Sequence, residues 1–144
     1  MNSFENRTLD KSINAAIITA NEMLNGSSKM MLELSHKNDF KFNSGDGETV
    51  WLKIVNYKGV TPVFFYKPFN PWTSAMGYSD GKAIYLNSRK FDSFMFSDLV
   101  GLLLHEKLHI IGFGHGNNYK TSDKCLYSVN YFVSENVRKW LWTN

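Results

Sequence analysis

His105, Glu106, His109, Gly112 and His115 stand within eleven residues and include three of the four histidines in a chain of 144. On a helix, residues four apart share a face, so His105 and His109 would project side by side and could grip one metal ion. Glu106 lies one step round the same helix, near enough to reach a water on that metal without being a ligand. Gly112 can adopt the left-handed conformation that stops a helix and turns the chain. Three residues later, His115 would return as a third ligand. Three nitrogens and one open position are the makings of a catalytic zinc site.

The element that must position this set is legible just before it. Leu99, Val100, Leu102, Leu103 and Leu104 form an almost unbroken apolar run, as expected of a helix buried inside a small domain. Ser97-Asp98 is the expected cap, and the helix is expected to run to about Ile111. Two histidines and a glutamate in such a helix are costly to bury without a partner, and a metal supplies one. The plainer alternative is a buried helix whose histidines bond to backbone carbonyls. That alternative serves for one histidine better than for three at these spacings.

The stretch from His105 to His115 resembles the zinc signature of the metzincin clan of metallopeptidases, HExxHxxGxxH. The match is tight over these eleven residues and loose from about Ala83 to Tyr131. The resemblance implies an α+β, zincin-like (metzincin) domain: a small mixed sheet, a backing helix, the active-site helix and a very short C-terminal subdomain. It implies one catalytic Zn2+ held by His105, His109 and His115, with Glu106 as general base. Zinc on neutral imidazoles brings its water to a pKa near 7, within reach of a carboxylate base. It further implies that the strand before the helix borders the cleft and pairs with an extended peptide substrate; Ala83-Ile84-Tyr85-Leu86-Asn87 is the expected candidate, or else an ordinary core strand.

In one respect the chain departs from that clan. Its members carry a methionine in a tight turn beneath the zinc, yet no methionine follows His115 here, and Met95 is the last. Tyr127-Ser128-Val129-Asn130-Tyr131 looks like a degenerate version of that turn. If Val129 stands in the methionine's place, Tyr131 falls two residues on, where some clan members hold a tyrosine against the zinc or the oxyanion. If Asn130 stands there, the match is lost. Tyr131 is therefore a candidate oxyanion stabiliser, with aromatic packing as the alternative.

Composition bounds the rest. With 43% apolar and 15% aromatic residues the chain is globular. Its length suits one domain, 1–144, with an N-terminal part to about residue 112 and a short C-terminal part, 113–144. The net charge of +3 comes from scattered lysines, which argues for a solvated surface and against a nucleic-acid partner. Cys125 is the only cysteine, so no internal disulfide forms; it is read as an idle thiol, with approach to the zinc as the alternative. No apolar run reaches the length of a membrane span. The start, Met1-Asn2-Ser3-Phe4-Glu5, lacks a basic-then-apolar signal, which places the chain inside the cell unless a leader has been removed. Nothing in the sequence sets an oligomeric state.

Along the chain, residues 1–9 read as polar and loose. Asp10 or Ser12 would cap a helix carrying Ile13, Ala16, Ile17, Ala20 and Leu24 on one stripe, ended by Asn25-Gly26 and packed on a sheet. A second short helix follows around Met30 to Leu34, and His36 reads as a surface residue. The Asn43–Glu48 stretch reads as a loop; its alternating acids lack the length and terminal glutamate of a calcium loop. Val50–Tyr57 and Val60–Tyr66 read as strands joined at Lys58-Gly59, with Pro62 pointing to an edge or a strand start. Lys67–Ser79 reads as an ordered loop, and Ala83–Leu86 as a short strand. Ser134 would cap a last helix through Val137, Trp140 and Leu141.

Three functions from different classes follow. The first is a zinc endopeptidase acting on a peptide or protein in extended conformation. The second is a catalytically inactive, zinc-stabilised binding or assembly module. The third is an amidase acting on cell-wall peptide.

Overall fold

The computed structural model describes residues 2–26, 28–37, 39–40, 46–114 and 128–143. Its elements in chain order are β1 (Asn2–Asn6), α1 (Asn14–Leu24), α2 (Ser28–Ser35), α3 (Gly47–Asn56), β2 (Gly59–Tyr66), β3 (Gly77–Ser79), β4 (Ile84–Asn87), α4 (Phe96–Ile111) and α5 (Val129–Thr143). The fold is α+β, with a small mixed sheet and helices. The strand order is β1-β2-β4-β3; β1, β2 and β4 run parallel, and β3 is antiparallel to β4.

The expected first helix forms as its stripe requires. The Asp10 side chain accepts from Ser12 N–H at 2.8 Å and opens a 3-10 turn over Lys11–Ile13, which runs into α1. Ile13, Ala16, Ile17, Ala20 and Leu24 are buried, and α1 packs on β1 and α4. The second helix, α2, buries Met30 and Leu34.

Besides β3, a strand at the end of the expected Lys67–Ser79 loop, three segments differ from the sequence reading. The first residues are not loose: Asn2–Asn6 pairs in parallel with Gly59–Val63. Its polar residues find partners that only the fold supplies. The Asn2 amide donates to Ile54 C=O at 3.0 Å, and Phe4 N–H donates to Asn21 Oδ1 at 2.9 Å. The segment around Val50–Tyr57 is a helix, not a strand. Asp46 caps it through Glu48 N–H (3.0 Å) and Thr49 Oγ1 (2.9 Å), and Val50, Trp51 and Ile54 are buried at helical spacing. Gly47 lets its first turn close on α2, since a Cβ there would lie 1.7 Å from Leu34 O. Gly59 accordingly joins helix to strand. The last helix starts at Val129, so Ser134 lies within it and donates to Tyr131 C=O at 3.2 Å instead of capping.

Pro62 lies in an interior strand. β4 begins to pair with β2 only at Val63, so at Pro62 the strand has β1 as its single neighbour and the missing N–H is tolerated. Residues alternate across the sheet. Val63, Ile84 and Leu86 enter the core, while Phe64, Tyr66, Tyr78 and Tyr85 face away and touch as rings. One buried cluster runs from Phe4 to Val137, and α4 crosses it.

Candidate functional site

Helix α4 carries the histidine-glutamate set. Val100, Leu103 and Leu104 are fully buried on it, as the apolar run requires, each contributing roughly 1.5–3 kcal/mol to folding. Its N-cap is Met95, without a side-chain cap bond; Ser97 and Asp98 lie in the first turn, where Asp98 pairs with Arg138 at 3.7 Å. At its other end Gly112 adopts φ 121°, a conformation that disfavours any side chain, and its N–H bonds to Leu108 and His109 C=O. Phe113 then turns into the core.

His105 and His109 stand side by side, ring centroids 5.1 Å apart and planes at 71°. They line a cleft of about 540 Å³ together with Glu106, Tyr131, Tyr78, Ser79 and Gly81. His109 bonds to the Phe113 backbone through its ring, and burial depresses its proton affinity. The hydrogen bond opposes that effect and orients the imidazole, as a metal-binding histidine is usually supported. His115, the third expected ligand, lies outside the described residues, as does Cys125. Among the described residues no three His, Cys, Asp or Glu side chains are placed to hold one metal ion. The donor set that is described fits zinc: two imidazoles at i and i+4 with a carboxylate beside them and a cleft in front.

Glu106 is 8% exposed. Burial pushes its carboxyl up to about 7, opposed by hydrogen bonds from the Ser79 hydroxyl and backbone N–H. A carboxylate with that proton affinity can both take and return a proton near neutral pH.

Tyr131 rests its ring against His105, with centroids 4.7 Å apart and planes at 77°. The turn expected at residues 127–131 is not found over 129–131, which open α5; Tyr127 lies outside the described residues. Tyr131 reaches the cleft from a helix. Asn130, beside it, donates to the His105 and Phe113 carbonyls, each at 3.2 Å, and ties α5 to the end of α4.

The strand bordering the cleft is β3, not Ala83–Asn87. β4 lies between β2 and β3, while β3 is the antiparallel edge against α4. Gly77 permits that approach, since a Cβ there would lie 2.7 Å from Tyr85 O and 3.3 Å from Leu102. Tyr78, Ser79 and Gly81 were not singled out from the sequence. Their place depends on sheet register, which Asp80-Gly81 signals only as a turn.

No family model matches the chain, and neither a curated protein nor a solved structure matches it.

Proposed function

We propose that this chain is a zinc-dependent endopeptidase on a zincin-like fold, acting on a peptide or protein in extended conformation. One observation carries the reading: His105, Glu106 and His109 share one cleft, with Glu106 buried in its wall. His105, His109 and His115 would hold the metal. The ion would supply Lewis acidity, polarising the scissile carbonyl and acidifying water.

This chain's own groups do the rest. A carboxyl oxygen of Glu106 takes the proton of the attacking water and passes it to the leaving amine. Ser79 orients that carboxyl through its hydroxyl and N–H. The Tyr131 hydroxyl stabilises the developing oxyanion. Among the described residues β3 pairs with β4 alone, so apart from the Ser79 N–H spent on Glu106 its outer edge would hold an extended peptide through main-chain hydrogen bonds.

The test pairs metal analysis with cleavage of a broad peptide library, on the wild type and Glu106→Gln. The expected outcome is one zinc per chain in both and cleavage by the wild type alone. Full cleavage by Glu106→Gln removes the proposed base. Zinc binding without cleavage by the wild type favours a zinc-stabilised binding module.

A further inference from the structure

We propose that the end of the molecule where β2 and β4 finish and α4 begins docks on an anionic lipid surface. Two side chains stand out there. Phe69 is 105% exposed and Trp72 is 88% exposed, on the loop after β2. That loop is held in shape. Pro68 is buried, Asn70 accepts from Trp72 N–H (2.9 Å) and Thr73 N–H (3.3 Å), and the Asn87 amide fastens Ala75 C=O at 2.9 Å. Its rings are thus presented from an ordered support, at little cost in conformational entropy.

Further apolar groups gather at the same end. Ser88 N–H bonds to Tyr66 C=O where the loop begins, and the chain then stacks Phe91 on Phe65 and Phe94 on Phe91. Met95 and Phe96 follow at the start of α4, 47% and 46% exposed. The Asp98–Arg138 pair brings in the end of α5, where Trp142 is 67% exposed.

Charge selects the occupant. Lys67 and Arg89 are exposed and Lys90 is half-buried, beside the loop and the strand ends; none of the three is in an ion pair among the described residues. Asp92 is the acid set among them. Trp and Phe rings standing proud of a basic rim suit the headgroup region of a bilayer, where rings enter the interface and lysines meet anionic headgroups. The stacked rings of Phe64, Tyr85 and Tyr78 cover one another's faces and offer no comparable platform.

The test is cosedimentation with vesicles of phosphatidylcholine alone and of phosphatidylcholine with phosphatidylserine, with sedimentation velocity of the protein alone. The wild type is expected to bind the anionic vesicles and sediment as a monomer. Phe69→Ser/Trp72→Ser and, separately, Lys67→Glu/Arg89→Glu are each expected to weaken vesicle binding at least about tenfold while leaving the far-UV spectrum unchanged. Wild-type protein that ignores anionic vesicles, or variants that bind as well as the wild type, overturns the proposal. So does a dimer that the Phe69→Ser/Trp72→Ser change dissolves, since the rings would then be covered by a second copy.

Discussion

Glu106 and Lys107 are neighbours on α4, both withdrawn from water, and their surroundings differ in kind. Lys107 is fully buried, and its Nζ donates to Ser3 C=O (3.2 Å), Gly59 C=O (3.3 Å) and Thr61 Oγ1 beneath the rings of Phe4 and Tyr57. Its three protons have three oxygens, so it pins α4 to the first two strands. Among the described residues Glu106 has Ser79 alone, and it faces a cleft, so its charge is incompletely compensated there. A charge the fold satisfies fully becomes structure; one it satisfies partly remains available for chemistry.

Breaking the structural member should cost the most. Lys107→Ala strands three acceptors around a cavity, and a loss of roughly 3–5 kcal/mol in chemical denaturation is expected. A loss under about 1 kcal/mol would mean that the pin is dispensable.

Next in size are opposite pH effects in chelated, metal-free protein. The folded-state affinity of Glu106 for its proton is raised from 4.5 to about 7, so its contribution is full below pH 4.5 and lost as pH rises to about 7, by roughly 3 kcal/mol. Burial lowers Lys107 from 10.5 to about 8, so stability recovers as pH climbs from about 8 to 10.5. The three oxygens on its ammonium make that alkaline limb the smaller. Denaturant midpoints against pH should show a trough at pH 7 to 8. Glu106→Gln should flatten the acid limb and Lys107→Met the alkaline one. A trough that survives both changes would assign it to other groups.

The smallest effect concerns Tyr131. Tyr131→Phe keeps the ring on His105 and removes the hydroxyl. A fall in kcat of about tenfold with KM unchanged is expected for an oxyanion donor. Unaltered kcat would leave Tyr131 as packing for the imidazole.

The site was legible where it is local. Spacing along one helix places His105, Glu106 and His109 together, and a glycine at 112 stops that helix, because both follow from backbone geometry alone. Elsewhere local patterns misled. Trp51, Lys53, Val55 and Tyr57 alternate as a strand does, while Val50, Trp51 and Ile54 recur as a helix does; Asp46, read as loop, is the cap that decides between them. Asn2–Asn6 reads as polar tail because its partners lie on α1, α3 and β2. Ser79 carried no signal, since an edge strand of three residues is defined by its register with β4.

The most direct measurement is anomalous diffraction at the zinc edge from crystals grown with the metal. The expected map has one peak with nitrogens of His105, His109 and His115 at about 2.0–2.1 Å and a fourth position open to solvent. A peak closed by a fourth protein side chain, such as Cys125, or rings of His105 and His109 turned to separate places, would contradict it.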